Sequence, residues 1–203
     1  MPKRVDHEER RRQIAQALVA VAARQGLHAV GMREVAAEAG VSVRLVQYYF
    51  ASKDRLFFYA YRYLGEQLGL RIQARVRAAG SRPGPREVLE ATLFEGLPDD
   101  EASRNMHIVY TAYATLALTD PSMAGHAFVE GPDVLENHLV GQLRAAQDAG
   151  EVPGDLDAAA EVAGLLAISA GLGTSVLVGQ RDAAAAKRVV TYHLDRIFGP
   201  RSG

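Results

Sequence analysis

The sequence predicts an all-α protein of nine or ten helices, and two observations carry that prediction. Ala, Leu, Arg, Glu and Gln dominate the chain, and its apolar residues recur at helical rather than alternating spacing. No run of alternating β-branched residues stands between turn signals. At 203 residues the chain makes one or two domains with a real core.

The elements follow in order. From about residue 8 to Arg24, Ile14, Leu18 and Val21 fall on one face, and Gly26 is the stop. A short helix over 32–39 turns Val35, Ala36 and Ala39 inward. Gly40-Val41-Ser42 breaks it, and 43–49 forms a third helix. Lys53 opens a long helix to about Ala79, with Phe57, Tyr61, Leu64 and Leu68 as its apolar face. Pro83 and Pro85 end it, and a helix of about 86–96 follows. Beyond the turn at Leu97-Pro98 come helices over 101–118 and from Asp120-Pro121-Ser122 to about Gln147. The second of these is expected to break or kink at Gly131-Pro132. A loop to Asp155 precedes two last helices, about 156–178 and 182–198.

Charge is unevenly placed. The net charge of −1 gives no hint of a nucleic-acid partner. Residues 1–56, however, hold ten Lys/Arg against six acids, a net +4, which leaves −5 for the remainder. A basic module joined to an acidic body is the pattern of a chain that touches a polyanion at one end. There is no cysteine, which excludes disulfides, thiolate metal sites and cysteine nucleophiles and fits a cytoplasmic protein. The start, MPKRVDHEERRRQ, lacks the apolar stretch of a secretory signal.

Two short helices joined by Gly-x-Ser read as a helix-turn-helix. Gly40 can take the positive φ of a sharp turn, and Ser42 is placed to cap the third helix. On that helix Val46 and Phe50 face inward. Val43, Arg44, Leu45, Gln47 and Tyr48 then project outward, with Tyr49 between. Arg44 suits guanine O6/N7, Gln47 suits adenine N6/N7, and Val43 or Leu45 suits a thymine methyl. Tyr48, Tyr49, Lys53 and Arg33 suit phosphates, as does the Ser42 helix start. Lys3-Arg4 and Arg10-Arg11-Arg12 read equally as a DNA-touching arm or a solvated helix start.

This stretch resembles the N-terminal domain of the TetR family of transcriptional regulators, one-component repressors that release DNA on binding a small ligand. The resemblance rests on Ala39-Gly40-Val41-Ser42, Val46, Tyr49-Phe50, Ser52-Lys53 and Leu56, with Ile14-Ala15, Ala17-Leu18 and Gly26 in the opening helix. It departs from the family at Gln47, where a tyrosine is usual, at Arg44, often a glycine, and at Gly31, where Thr or Ser caps the second helix. The resemblance implies a DNA-binding head over 1–52 and a ligand-binding and dimerisation domain over 53–203. It also implies a palindromic operator in duplex DNA and a homodimer paired through the last two helices.

The body offers a candidate ligand wall. The helix over 101–118 is apolar nearly all round, as in the middle of a bundle. Met106, His107, Tyr110, Thr111 and Tyr113 on it are candidate ligand contacts. Tyr61, Leu64, Phe94, Phe128, Leu139 and Ile168 on neighbouring helices are the others; a plain core is the competing reading. Between Glu161 and Gln180 lie 18 uncharged residues, seven of them Gly, Ser or Thr, too short and weakly apolar for a membrane span. Gly164, Ala167, Gly171 and Ser175 there form a small-residue ridge that lets another helix approach.

Enzymatic signatures are absent. The six histidines (His7, His28, His107, His126, His138, His193) include no pair four apart, and His126 with Glu130 has no evident third ligand. Serine-nucleophile and phosphate-loop motifs are missing. No cofactor, metal or membrane partner is expected. The expected function is a ligand-released repressor. An activator, a ligand-blind regulator, or a helical ligand carrier without DNA binding are the alternatives.

Overall fold

The computed structural model describes the backbone of residues 3–80, 82–119 and 127–200, and the side chains of 7–80, 82–118 and 131–200. Among the described residues there are nine α-helices, one 3₁₀ turn at Leu27–Ala29, and no strand. The helices are α1 (Lys3–Gln25), α2 (Met32–Glu38), α3 (Val43–Phe50), α4 (Lys53–Ala78), α5 (Pro85–Glu95), α6 (Glu101–Thr119), α7 (Ala127–Asp148), α8 (Ala158–Leu177) and α9 (Ala183–Phe198). Contacts divide the chain into two compact units, Met1–Gln67 with Ile108–Val129, and Leu68–His107 with Glu130–Gly203.

In the first unit α1 packs on α2 and α2 on α3. Ile14, Leu18, Val21, Val35, Val46, Phe50, Leu56 and Phe57 form its core, none more than 4% exposed. α1 starts at Lys3, about five residues before the start expected near residue 8. Its opening turns are built of Arg and Glu, strong helix formers, and Arg10 donates to Gln13 at 2.6 Å.

In the second unit α5 packs on α8 and α9, and α8 on α9. Leu89, Leu93, Leu139, Leu143, Val162, Leu165, Val190 and Leu194 make its core. Pro85 opens α5, where its missing N–H costs nothing, and the Glu87 carboxylate accepts the Gly84 N–H at 3.0 Å. Asp157 caps α8 by accepting the N–H groups of Ala159 and Ala160, and Asp182 caps α9 through Ala185 N–H. Both caps set the helix starts slightly later than periodicity alone suggests.

Two expectations are revised. α7 runs continuously through Gly131-Pro132, where a break or a kink was expected; of the two, the break does not occur, and the proline gives up one backbone donor within the helix. Its expected start at Asp120-Pro121-Ser122 lies outside the described residues. α6 is also less enclosed than its composition suggests. It buries Val109 and Tyr113 but leaves Tyr110 45% and Leu118 87% exposed.

Candidate nucleic-acid interface and ligand contacts

The helix-turn-helix is assembled by short local bonds. Gly40 has φ 66°, the left-handed conformation that lets α2 stop within one turn. The Val41 N–H reaches the Ala36 carbonyl at 2.9 Å. The Ser42 hydroxyl accepts the Leu45 N–H at 3.2 Å, the expected cap of α3. α2 has Gly31 as its cap residue and no side-chain cap bond. Elsewhere the head is tied across helices: Gln13 Nε2 donates to the Ala39 carbonyl at 3.0 Å, and Arg24 meets Glu38 at 2.6 Å.

α3 divides cleanly. Val46 and Phe50 are buried, while Arg44, Gln47 and Tyr48 are exposed, the tyrosine by 73%. Val43, Leu45 and Tyr49 are half-buried beside them. Arg33 on α2 is exposed. Lys53 at the start of α4 is exposed too, its Nζ 4.9 Å above the Phe57 ring. An eight-residue helix whose open face holds a guanidinium, an amide and a phenol offers the donor set that reads base edges and phosphates.

Two contacts here escaped the sequence reading. His7 Nδ1 lies 2.9 Å from the Tyr49 hydroxyl, and the Tyr59 hydroxyl donates to Glu8 at 2.7 Å. Burial and the Glu8 carboxylate push the Tyr59 hydroxyl up to about 12. A cleft of about 210 Å³ lies there, lined by Glu8, Arg11, Tyr59, Arg62, Tyr63 and Glu66. Residues 42 and 51 positions apart leave no local pattern by which to find such pairs.

The candidate ligand residues fall into both units. In the first, Leu64 is buried and Tyr61, Tyr110 and Tyr113 come together. Tyr61 stacks on Tyr110 at 6.1 Å and meets Tyr113 edge-on at 5.3 Å. Burial, with Tyr110 beside it, raises the Tyr61 hydroxyl. Thr111 faces outward, and the Phe128 side chain lies outside the described residues. In the second unit Leu139 is a core residue, with Phe94 and Ile168 packed partly buried on the same core. Met106 is half-buried. His107 Nδ1 lies 3.2 Å from the Gly96 carbonyl, and burial lowers its proton affinity. Gly173 on α8 leaves room for that imidazole: a Cβ there would overlap it and stand 3.0 Å from the Gly96 carbonyl.

The second unit also holds a charge network that no motif announces. Glu95, with its side chain 2% exposed, accepts from Arg71 and, at 2.9 Å, from Arg75. Arg71 continues to Asp100 at 2.8 Å, and Lys187 pairs with Asp99. The Ser103 N–H and then Arg71 hold the Asp100 carboxyl well below the usual carboxylate range. Burial opposes ionisation of Asp99, but Lys187 and Arg75 outweigh it and hold that carboxyl down too. Among the described residues no cluster of His, Asp or Glu could hold a metal ion, and His126 lies outside them.

A capped α3 packed with α1 and α2 in an all-helical chain is the architecture of a helix-turn-helix regulator. Residues 14–60 match the family described as bacterial regulatory proteins, tetR family, and residues 85–199 match the C-terminal region of BetI-type transcriptional repressors. The chain belongs to the TetR family. It is 34% identical over 118 residues to the HTH-type transcriptional regulator PksA of Bacillus subtilis, a match spanning 56% of each chain. A transcriptional regulator from Rhodococcus sp. is 30% identical with a TM-score of 0.69, covering 92% of this chain and 95% of that one. A transcriptional-regulator structure from Saccharomonospora viridis, in complex with choline, is 25% identical with a TM-score of 0.80, covering 96% of this chain and all of that one.

Proposed function

We propose that this protein is a cytoplasmic, homodimeric repressor that leaves a palindromic DNA operator when a small molecule binds. The observation that carries this is α3, whose buried Val46 and Phe50 present Arg44, Gln47 and Tyr48 outward. Residues 1–52 are the reading head and 53–203 the ligand and dimer domain. Two copies of α3 enter successive major grooves about 34–36 Å apart. Ser42, Val43, Leu45 and Tyr49 line the same contact, and Arg33 and Lys53 hold phosphates. The protein has no enzymatic task.

Pairing of two copies is supported by α8. Only 28% of its apolar stretch is buried, at a mean hydropathy of 1.6, and Gly164, Ala167 and Gly171 lie on its open side. An apolar face of that kind is covered by a second helix pair.

The effector we favour is a small organic cation. Tyr61 on α4 stacks with Tyr110 on α6, backed by buried Tyr113, and the exposed Tyr110 offers a phenol face of the kind that attracts a quaternary ammonium. The choline complex of the similar Saccharomonospora viridis protein supports the same class. Binding there favours a conformer with the two heads out of operator register, so DNA affinity falls by population shift. A gel shift on the DNA upstream of the protein's own gene, with and without choline, tests the reading. Salt-dependent binding that choline weakens supports it. Binding that choline leaves unchanged points to another effector or a ligand-blind regulator, and no binding at low salt makes the chain a ligand carrier.

A further inference from the structure

His7 stands at the start of α1, outside the residues that read or clamp DNA, yet it touches one of them. Its Nδ1 is 2.9 Å from the Tyr49 hydroxyl, and the two rings meet edge to face with centroids 5.8 Å apart. Tyr49 meets Tyr48 in the same manner at 5.3 Å. Three rings from α1 and α3 therefore run in a row to exposed Tyr48, which shares a helix face with Arg44.

The turn of α1 that carries the imidazole is anchored. The next residue, Glu8, accepts the Tyr59 hydroxyl at 2.7 Å, and the Tyr59 ring meets Phe50 edge-on at 5.3 Å. One turn of α1 is thus fastened to α4 and, through Tyr59, to the inward side of α3.

The hydrogen-bond direction decides what Tyr49 can offer. With a proton on Nδ1, the imidazole donates, the phenol oxygen accepts, and the phenolic hydrogen stays free. With the only ring proton on Nε2, the phenol must donate inward and can show a neighbour only lone pairs. A phosphate oxygen accepts and never donates, so it selects the first arrangement.

We propose that His7 is a positioning residue of the DNA interface: its Nδ1–H donates to the Tyr49 hydroxyl and so aims the phenolic hydrogen at a backbone phosphate. This rests on the reading in which α3 docks on DNA. It gives α1 a part in recognition that does not depend on the basic triplet Arg10-Arg11-Arg12.

The test is duplex affinity at fixed salt for the full chain, using the DNA upstream of its own gene. The variants are His7→Ala, Tyr49→Phe, the double substitution and His7→Gln, each with a melting curve. Loss of one hydrogen bond to the interface weakens binding about five-fold in either single variant. The double variant is expected to be no weaker than the singles, because both remove the same contact. His7→Gln should bind within about two-fold of the native chain, since its amide N–H can donate to the phenol. Melting temperatures should not follow the affinities. Native-like binding by His7→Ala, multiplied losses in the double variant, or a His7→Gln as weak as His7→Ala would each overturn the proposal. A native chain that binds no duplex at low salt overturns the DNA reading itself. Native binding with unaffected variants overturns this inference alone.

Discussion

The Tyr113 hydroxyl donates at 2.9 Å to the backbone carbonyl of Phe57, tying α6 to α4 inside the first unit. Tyr113 is fully buried, and its ring meets those of Phe57 and Tyr61 edge-on. Tyr113→Phe keeps the rings and loses the bond, which should cost about 1 kcal/mol in urea denaturation. Tyr113→Ala also opens a cavity and should cost about 3–5 kcal/mol. Equal losses in the two would mean the packing contributes nothing.

Arg44 and Lys53 are both exposed cations, and under the proposed docking of α3 on DNA they should fail differently. Arg44→Ala should relax sequence preference at one position per half-site, costing about 1–3 kcal/mol on the preferred operator. Lys53→Ala should weaken all sequences alike and flatten the salt slope by about one unit. Binding measured on native and scrambled duplexes across a salt series separates the two. Reversed effects would exchange their roles.

Acid should unfold the second unit through Asp99 and Asp100. Both carboxyls are held below their ordinary values in the folded chain, so the unfolded chain takes up protons first as pH falls. Their stabilisation is complete above the ordinary carboxylate range and is lost as pH drops through the depressed values. Asp100→Asn should therefore lower stability at pH 7 and make the decline below about pH 4 shallower. Stability curves from pH 2 to 7 for both chains measure this.

Gly173→Ala should displace His107, because the added methyl would overlap its imidazole and crowd the Gly96 carbonyl. The expected loss is about 1–3 kcal/mol, typical of overpacking. His107→Ala in the same chain should recover part of it by vacating the space. An additive pair of losses would show that the glycine serves some other end.

If α8 forms the seam between copies, Gly171→Arg should shift the chain to a monomer in light scattering. A charged side chain would then stand where two helices must approach closely. The head should fold as before, and operator affinity should fall with the loss of the second reading helix. A dimer of unchanged strength would move the seam elsewhere.

The head was legible because its signals are local. Gly40, Ser42, Val46 and Phe50 lie within eleven residues, as a turn glycine, a cap one turn from its partner Leu45, and two inward positions at helical spacing. His7 with Tyr49 and Arg71 with Glu95 were illegible for the opposite reason: long polar side chains meet across helices, and neither partner sits in a pattern. The candidate ligand residues fall between. Tyr61 and Tyr110 do stack, but Leu139 is a core residue, and an apolar helix face reads the same whether it lines a cavity or fills one. Pro132 does not break α7 because a missing donor is a local cost, whereas continuity of the helix is decided along its whole length.

The inward and outward sides of α3 also bear on how such a protein can change. Val46 and Phe50 are buried in the core, whereas Arg44, Gln47 and Tyr48 are exposed, Tyr48 resting on the Tyr49 ring. Exposed substitutions of that kind usually alter stability by no more than about 0.5 kcal/mol. If that face reads DNA, a lineage carrying this head can drift toward a new operator one side chain at a time at little cost to its fold, and an engineer can follow the same path.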